Sequence, residues 1–326
     1  MKYRNFGRTG IEVSEIVFGG GYVGGLLLRA DDETKLNTLR RALEAGINWI
    51  DTAPAYGQGR SEEALGWLLE ELEPEPYVST KVGIDLTRLD DIPGQIEASV
   101  HASLVRLRRE RVDLLQLHNP IETETGGGAI GIAHVLGAGG AADGLERMRE
   151  QGLTRFLGLT ALGEAGAIRQ AIASGRFDSA QVYYNLINPT AARPLPAGWS
   201  GHDFSGVIHS CLTQGLAIMV IRVLAAGVLA TDERHGREIV VTRGSGILAE
   251  ERRARAVFEA IGARYGTRAQ SAIRFALANP DISCAIVGLA EPAHLEEALA
   301  AAGMGPLPPE ALAELNAFYD TAFGQL

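Results

Sequence analysis

The chain has 326 residues, of which 46% are hydrophobic, and its 40 acidic and 30 basic side chains give a formal net charge of −10. This charge balance argues against a nucleic-acid partner, because a surface that follows phosphates needs clustered lysine and arginine. The length fits either two domains or one α/β barrel, a fold that runs to ~250 residues or more.

The sequence also bears on location. Cys211 and Cys284 lie in apolar sequence without ligand-like neighbours, so we interpret them as buried free thiols in a reducing cytosol. The N-terminus has no apolar signal segment. The longest apolar stretch, residues 216–230, is interrupted by Arg222 and Gly227 and is too short to cross a bilayer. We predict a cytoplasmic protein, monomeric or a small homo-oligomer, without a membrane partner.

The first predicted element is a β-hairpin over residues 2–14, where a Gly-Arg-Thr-Gly turn separates two short polar–apolar runs. Eight runs rich in Val, Ile and Leu follow. They are continuously apolar, which is typical of strands buried on both faces of a parallel sheet. These runs span residues 15–20, 48–53, 77–82, 112–118, 155–161, 179–185, 217–224 and 284–290.

Amphipathic segments between the runs predict helices, with Ser61 as the N-cap of the second. The clearest span residues 32–46, 59–72, 93–110, 163–176 and 268–280. Strand–helix units that repeat eight times without a break in composition predict an α/β fold, a closed (β/α)8 TIM barrel. We predict a single domain over residues 1–326, with the hairpin at the bottom of the barrel.

Two local patterns receive a plain structural interpretation. The basic cluster at residues 106–111 predicts a solvated helix C-terminus, where positive charge suits the helix dipole. The letters GGGAIG at residues 126–131 match a dinucleotide fingerprint, but they begin eight residues after the strand that ends at His118. That fingerprint must join a strand directly to a helix, so we predict a flexible loop there.

Two long loops interrupt the regular alternation, residues 119–143 after the fourth strand and residues 186–206 after the sixth. Such loops stand at the C-terminal face of a barrel, where active sites lie. They are candidate walls of a substrate pocket, with Trp199 as an apolar contact. The alternative is that they pack against each other or against a partner subunit.

Polar side chains stand at the ends of three successive predicted strands. Asp51, Lys81 and His118 end the second, third and fourth strands, and Tyr56 closely follows the second. Singly, each has a structural alternative: a turn residue, a paired lysine or a core histidine. Residues that end adjacent barrel strands converge on one mouth, so the four together predict a catalytic site.

These four groups suit reversible carbonyl reduction. Hydride delivery leaves an alkoxide-like oxygen that needs a proton, which Tyr56 can supply. The Lys81 ammonium stabilises a phenolate, and Asp51 holds that ammonium in place. The His118 imidazole can hydrogen-bond the carbonyl oxygen. Tyr56 is then the general acid in reduction and the general base in oxidation.

Motifs along most of the chain resemble the aldo-keto reductases, a barrel family that uses NADPH or NADH without a Rossmann domain. They are YRNFGRTGIEVSEIVFGG, INWIDTAPAYGQGRSEEALGWLL, STKVG, VDLLQLHNP, GLTRFLGLT, FDSAQVYYN, VLAAGVLA and AIVGLAEPAHLEEAL. The family's Asp–Tyr–Lys–His tetrad falls on Asp51, Tyr56, Lys81 and His118. The texture is similar to the bacterial branch that includes aldose 1-dehydrogenases and pyridoxal 4-dehydrogenase.

The resemblance also implies cofactor contacts. Thr160 and Ala161 stand where the family has a Ser-Asn pair that grips the nicotinamide carboxamide, and the companion Gln181 is retained. Ile221 replaces a stacking aromatic, and the neighbouring Arg222 is expected to contact the pyrophosphate. The other implied contacts are Gly20, Gly21, Leu224, Gly227, Gly288, His294 and Glu297 for the cofactor and Tyr22, Asn119 and Trp199 for the substrate, with no metal.

The segment after the eighth strand bears on the choice between NAD and NADP. The family's NADP-type pattern places a Ser or Lys soon after this strand and an Arg further on, because a 2′-phosphate needs a cation. Here Leu289 and His294 occupy those positions, and Glu291, Glu296 and Glu297 add negative charge. The resemblance therefore implies that NAD(H) is preferred over NADP(H), which makes net oxidation a plausible direction.

The predicted function is an NAD(P)-dependent oxidoreductase acting on CH–OH groups. It would interconvert a small-molecule carbonyl, at the aldehyde or aldose lactone level, with an alcohol or sugar lactol. The alternative is a cofactor-binding regulatory barrel with little turnover. A divalent-metal barrel enzyme is disfavoured because no second His or carboxylate stands beside His118.

Overall fold

The computed structural model describes residues 1–195, 198–242 and 246–321. Each predicted apolar run contains one barrel strand. Within the described residues the strands are β1 (Tyr3–Asn5), β2 (Glu12–Ser14), β3 (Ile16–Gly19), β4 (Trp49–Asp51), β5 (Tyr77–Val82), β6 (Val112–Leu117), β7 (Ile121–Glu122), β8 (Ile130–Gly131), β9 (Thr154–Ala161), β10 (Ser179–Tyr183), β11 (Ala217–Ile221) and β12 (Cys284–Gly288).

The barrel consists of β3, β4, β5, β6, β9, β10, β11 and β12, all parallel, and it closes because β12 pairs with β3. Matching registers bring the strand ends together: Gly19 lies opposite both Gly288 and Asp51, and Asp51 lies opposite Ser79. The predicted (β/α)8 barrel is confirmed.

The N-terminal hairpin, β1 paired antiparallel with β2, is also confirmed. Phe6, Ile11 and Val13 from this hairpin pack with Trp49 and other inward-facing strand residues in a cluster separate from the main core. The hairpin thus fills the lower end of the barrel interior. Both cysteines are free and buried, as expected.

Helices surround the strands. They are α1 (Leu26–Arg29), α2 (Asp32–Glu44), α3 (Arg60–Glu70), α4 (Ile92–Leu107), α5 (Ile132–Leu136), α6 (Ala141–Glu150), α7 (Ala165–Ala173), α8 (Val207–Gln214), α9 (Ile247–Ile261), α10 (Arg268–Leu277), α11 (Pro292–Met304) and α12 (Pro309–Thr321). Local sequence explains several starts. The Asp31 side chain accepts from Thr34 N and caps α2, and Thr267 with Gln270 forms a capping box on α10.

The structure corrects two local predictions. Ser61 does not cap α3, whose N-cap is Gly59 in a left-handed conformation. The Ser61 hydroxyl instead donates to Gly20 O at 3.0 Å and contacts the Thr52 hydroxyl. The cluster at residues 106–111 is only partly a solvated helix end, because Arg106 donates to the fully buried Glu62. A buried carboxylate needs such a partner, which local sequence does not show.

The described parts of the two long loops form specific turns and contacts. Residues 126–131 form a tight turn, in which Gly126 and Ala129 exchange backbone hydrogen bonds, and then enter β8. In the described part of the loop at residues 186–206, His202 Nε2 lies 2.6 Å from Gly163 O, which follows β9. No helix within the described ranges combines the length and apolar character needed to cross a membrane.

Candidate active site

A cavity of about 860 Å³ opens at the carboxyl ends of the barrel strands, a volume typical of small-molecule and cofactor sites. The segments that follow β3, β4, β6, β9, β11 and β12 all contribute to its wall, and β10 contributes Gln181 from within the strand. The predicted site residues that line it are Gly21, Tyr22, Asp51, Tyr56, His118, Thr160, Gln181, Ile221, Arg222, Leu224, Gly227, Gly288, His294 and Glu297.

Lys81 lies directly beneath this cavity and is fully buried. Its Nζ donates to Asp51 Oδ2 at 2.6 Å, to the Thr52 carbonyl at 2.8 Å and to the Tyr56 hydroxyl at 3.2 Å. An ammonium has three N–H groups, so all of them are used. Burial by itself would lower the pKa of Lys81, but the charges and hydrogen bonds of Asp51 and Tyr56 outweigh burial and raise it.

Both carboxylate oxygens of Asp51 accept hydrogen bonds. Oδ2 faces Lys81, while Oδ1 accepts from Ser79 Oγ at 2.7 Å, Gln181 Nε2 at 2.8 Å and Gln116 Nε2 at 3.2 Å. Four hydrogen-bond donors thus surround this one buried carboxylate. Ser79 and Gln116 were not predicted from the sequence. Both face inward, Ser79 on β5 with Lys81 and Gln116 on β6, which His118 follows.

A tight turn places Tyr56 over this pair. Tyr56 N donates to Ala53 O at 3.0 Å, and Gly59 N donates to Pro54 O at 2.8 Å. Gly57 has φ 64°, the left-handed region that glycine tolerates, and a Cβ there would lie 2.6 Å from Leu28. The turn lets the chain return immediately after β4 and begin α3.

His118 lines the cavity beside Tyr56. Its ring meets that of Tyr56 edge-on, with centroids 5.8 Å apart. Burial, together with the positive charges of Lys81 and Arg222, lowers the pKa of His118 to about 3. The imidazole is therefore neutral near pH 7, and a neutral imidazole can still donate one N–H.

Thr160 and Gln181 lie side by side, opposite each other in the β9–β10 register. Thr160 Oγ1 is buried and has no hydrogen-bond partner, although Thr160 lines the cavity. Gln181 must turn Nε2 toward Asp51, because a carboxylate only accepts hydrogen bonds. Its carbonyl oxygen is then left for other donors. A hydroxyl without a partner beside an amide oxygen fits a primary carboxamide ligand.

The remaining cavity wall carries charge of both signs. Arg222 Nη1 donates to Ile239 O at 2.6 Å and thereby attaches the loop after β11 to the end of that strand. His294 has both ring nitrogens close to neighbours: Ala290 N donates to Nδ1 at 3.3 Å, and Nε2 lies 3.4 Å from Glu291 Oε1.

Besides Lys81, three predicted site residues do not line the cavity. Gly20 O accepts from Ser61, and both amide atoms of Asn119 bond the backbone of Ile84. Trp199 Nε1 donates to His202 O at 3.3 Å. The Asn119 and Trp199 side chains bond backbone groups of loops, and their contact with substrate stays a prediction.

One part of the cavity wall was not predicted from the sequence. Of residues 119–143 only Pro120 lines the cavity, and of the described part of residues 186–206 none does. The loop from residue 222 to residue 242 contributes instead, with Thr231, Glu233, His235, Arg237, Glu238, Ile239 and Val241 among the lining side chains. The length of this loop after the seventh barrel strand was the feature of the sequence that could have indicated its part in the cavity wall.

The fold and the site define the general class of protein. It is a closed barrel in which a buried lysine–aspartate pair lies beneath a tyrosine of the cavity. The sequence model of the Aldo/keto reductase family matches residues 15–320, so the chain belongs to that family. Among the described residues no group of three or more His, Cys, Asp or Glu side chains could hold a metal ion.

Individual relatives agree with this placement. The chain is 39% identical over 127 residues to aldo-keto reductase YhdN of Bacillus subtilis, a match that covers 37% of this chain and 38% of that protein. It is 29% identical over 259 residues to D-threo-aldose 1-dehydrogenase of Pseudomonas sp, covering 70% and 72%. The holo structure of aldo-keto reductase AKR11C1 from Bacillus halodurans shares the fold, with TM-score 0.73, 20% identity, and coverage of 97% and 96%.

Proposed function

We propose that this protein is an NAD(P)-dependent oxidoreductase that interconverts a small-molecule carbonyl with an alcohol or lactol. The observation that carries this proposal is the Lys81 ammonium, which is buried and donates to both Asp51 and the Tyr56 hydroxyl. Positive charge fixed beside a phenol stabilises the phenolate that remains after proton transfer. Membership of the Aldo/keto reductase family supports the same chemistry.

Each side chain has a distinct part in the proposed step. A bound nicotinamide cofactor would supply or accept the hydride. In reduction, Tyr56 gives its proton to the carbonyl oxygen and becomes a phenolate beside Lys81. The neutral His118 donates a hydrogen bond to that oxygen and orients it. In oxidation, the phenolate takes the proton back, and Asp51 keeps Lys81 in place throughout.

The residues present fit such a cofactor. The Thr160 hydroxyl without a partner and the Gln181 carbonyl oxygen would hold the two ends of its carboxamide. Arg222 and Arg237 bring positive charge to the wall where a diphosphate would lie.

We further propose that NAD(H) is preferred over NADP(H). Glu297 lines the cavity and accepts a hydrogen bond from Thr267, while His294 lies beside Glu291. A 2′-phosphate brought to this region would meet carboxylates and one imidazole already engaged by its neighbours. Comparing the dissociation constants of NADH and NADPH by fluorescence titration tests this preference, and tighter binding of NADPH would contradict it.

We further propose that the substrate is an aldehyde with an apolar substituent rather than a sugar. Tyr22, Val23, Ala55, Pro120 and Leu162 are among the side chains that line the cavity, and four of them are apolar. An aldose would bring several hydroxyl groups against this surface, and each buried hydroxyl without a partner costs about 1–3 kcal/mol. The Tyr22 hydroxyl is the one hydrogen-bonding group among these five.

The decisive experiment measures turnover of a panel of aldehydes, aldoses and alcohols with both cofactors, in the wild type and in Tyr56→Phe. We expect turnover in the wild type and a loss of about 10²- to 10⁴-fold in the variant, with cofactor affinity retained. Cofactor binding without turnover of any substrate would contradict the proposal and favour a regulatory barrel.

A further inference from the structure

Beneath the tetrad, a hydrogen-bonded chain rises from the barrel interior to Asp51. Trp49 Nε1 donates to Ser79 Oγ at 3.0 Å, and Ser79 Oγ donates to Asp51 Oδ1 at 2.7 Å. All three residues are buried, with Trp49 and Ser79 at 0% exposure. Trp49 and Asp51 lie two positions apart on β4 and so face the same side, and Ser79 lies opposite Asp51 on β5.

The direction of these hydrogen bonds is fixed by chemistry. An indole N–H only donates, so Ser79 must accept from Trp49. An ionised carboxylate only accepts, so the single hydroxyl proton of Ser79 must point to Asp51. Trp49 therefore settles the rotation of the Ser79 hydroxyl, and no other orientation satisfies both neighbours.

The position of Trp49 is itself fixed by packing. Its ring lies 4.5 Å from that of Phe6 and 5.3 Å from that of Tyr77, centroid to centroid. Phe6 belongs to the segment joining the two hairpin strands, so the structure that fills the bottom of the barrel also holds the indole.

Ser79 differs from the other donors to Asp51. Gln181 faces the cavity and has the proposed task of meeting the cofactor. Gln116 makes the longer contact, 3.2 Å, and leaves its own Oε1 buried without a partner. Ser79 makes the shortest of the three hydrogen bonds to Oδ1 and lies away from the cavity.

We propose that Ser79 and Trp49 are positioning residues, which fix the Asp51 carboxylate so that Oδ2 holds Lys81 against Tyr56. This inference rests on the proposed function for its kinetic readout. Without the Ser79 hydroxyl, Asp51 can turn about its side-chain torsion, and the Lys81–Tyr56 contact loses its fixed geometry. Neither residue is among those that line the cavity, so substrate and cofactor binding is expected to persist.

The kinetic test compares Ser79→Ala with Ser179→Ala. Ser179 is a matched control, because it is also a fully buried barrel-strand serine but its hydroxyl has no hydrogen-bond partner. We expect Ser79→Ala to lower kcat roughly 10- to 100-fold, the effect of losing a hydrogen bond to a charged group. KM and the cofactor dissociation constant should stay within about twofold, and Ser179→Ala should leave kcat nearly unchanged.

A second pair of variants separates positioning from packing. Ser79→Thr keeps the hydroxyl and should restore most of kcat, whereas a purely structural role would leave Thr no better than Ala. Trp49→Phe keeps an aromatic ring but removes the N–H, and we expect a smaller loss, roughly 3- to 10-fold in kcat. Equal kcat in Ser79→Ala and Ser179→Ala would overturn the proposal.

A stability cycle gives a readout that does not depend on turnover. Trp49→Phe should raise the unfolding equilibrium constant in the wild-type background more than in the Ser79→Ala background, where the indole N–H already lacks its acceptor. We expect a difference of roughly five- to tenfold by urea unfolding. If the effects of the two substitutions on the unfolding equilibrium simply add, the proposed orientation of the Ser79 hydroxyl is overturned. An absence of turnover in the wild type, with this coupling present, would refute the proposed function and leave the orientation standing.

Discussion

The two ends of the cavity satisfy their polar groups in different ways. At the tetrad end, Lys81 and Asp51 are buried on adjacent strands and bond to neighbours that the barrel fixes. At the opposite end, charged groups such as Arg237 and Glu238 stand on the loop after β11, and Glu238 accepts from the backbone of His235 and Arg237 within the same loop. If the proposed function holds, the barrel strands would fix the proton-transfer groups and the loop after β11 would contribute charges to the cofactor region.

The largest effect is expected from Lys81→Met. This substitution leaves Asp51 as a buried charge without its cation, which typically costs about 3–5 kcal/mol of folding free energy. It also removes the charge that stabilises the Tyr56 phenolate, so turnover should fall by at least the Tyr56→Phe factor. Urea unfolding and steady-state kinetics measure the two losses. A variant as stable as the wild type would contradict the rigid character assigned to the tetrad end.

The second prediction concerns pH. The pKa of His118 falls from 6.5 to about 3 on folding, so the unfolded state binds more protons between these values. Stability from this group is complete above pH 6.5 and is lost as the pH falls toward 3. At pH 5 the loss should be about 1–2 kcal/mol. Compared with the wild type, His118→Gln should lose less unfolding free energy between pH 7 and pH 5, and parallel losses would argue against a buried neutral imidazole.

The third prediction tests the apolar wall beside the tetrad. Leu162→Asn should lower kcat/KM for pentanal by about tenfold relative to propanal, since the longer chain loses apolar contact. Val105→Asn is the matched control, because Val105 is 78% exposed on α4, outside the cavity lining. An unchanged ratio of kcat/KM values in Leu162→Asn would place the substrate elsewhere.

The smallest effect is expected at the loop end. Glu297→Gln removes one carboxylate from the cavity wall and should improve NADPH binding relative to NADH by roughly two- to fivefold, the usual size of a partly exposed charge interaction. Fluorescence titration of both cofactors measures the ratio. A ratio that does not move would show that Glu297 does not act on the 2′-position.

The sequence predicted the barrel well because strand burial and strand order are repeated local signals. Continuous apolar runs located all eight barrel strands, and the tetrad stood at the ends of three of them. Ser61, Asn119 and Trp199 were assigned less well. For Ser61 and Asn119 the partner lies far away in sequence, Gly20 O and the Ile84 backbone respectively, whereas Trp199 donates locally to His202 O. The contacts assigned to cofactor and substrate stay predictions. The single-domain organisation and the cytoplasmic location also stay predictions.

By itself, the sequence determined which residue types reach the barrel mouth, because the period of a strand and the position of its end are written locally. Only the tertiary structure decided which atoms meet there. The Ser79 hydroxyl points at Asp51 because Trp49 lies on the neighbouring strand beneath it, and the cavity wall comes from residues 222–242 because that loop folds back over the mouth. Hydrogen-bond direction and loop placement depend on contacts distant in sequence, and those exist only once the barrel has closed.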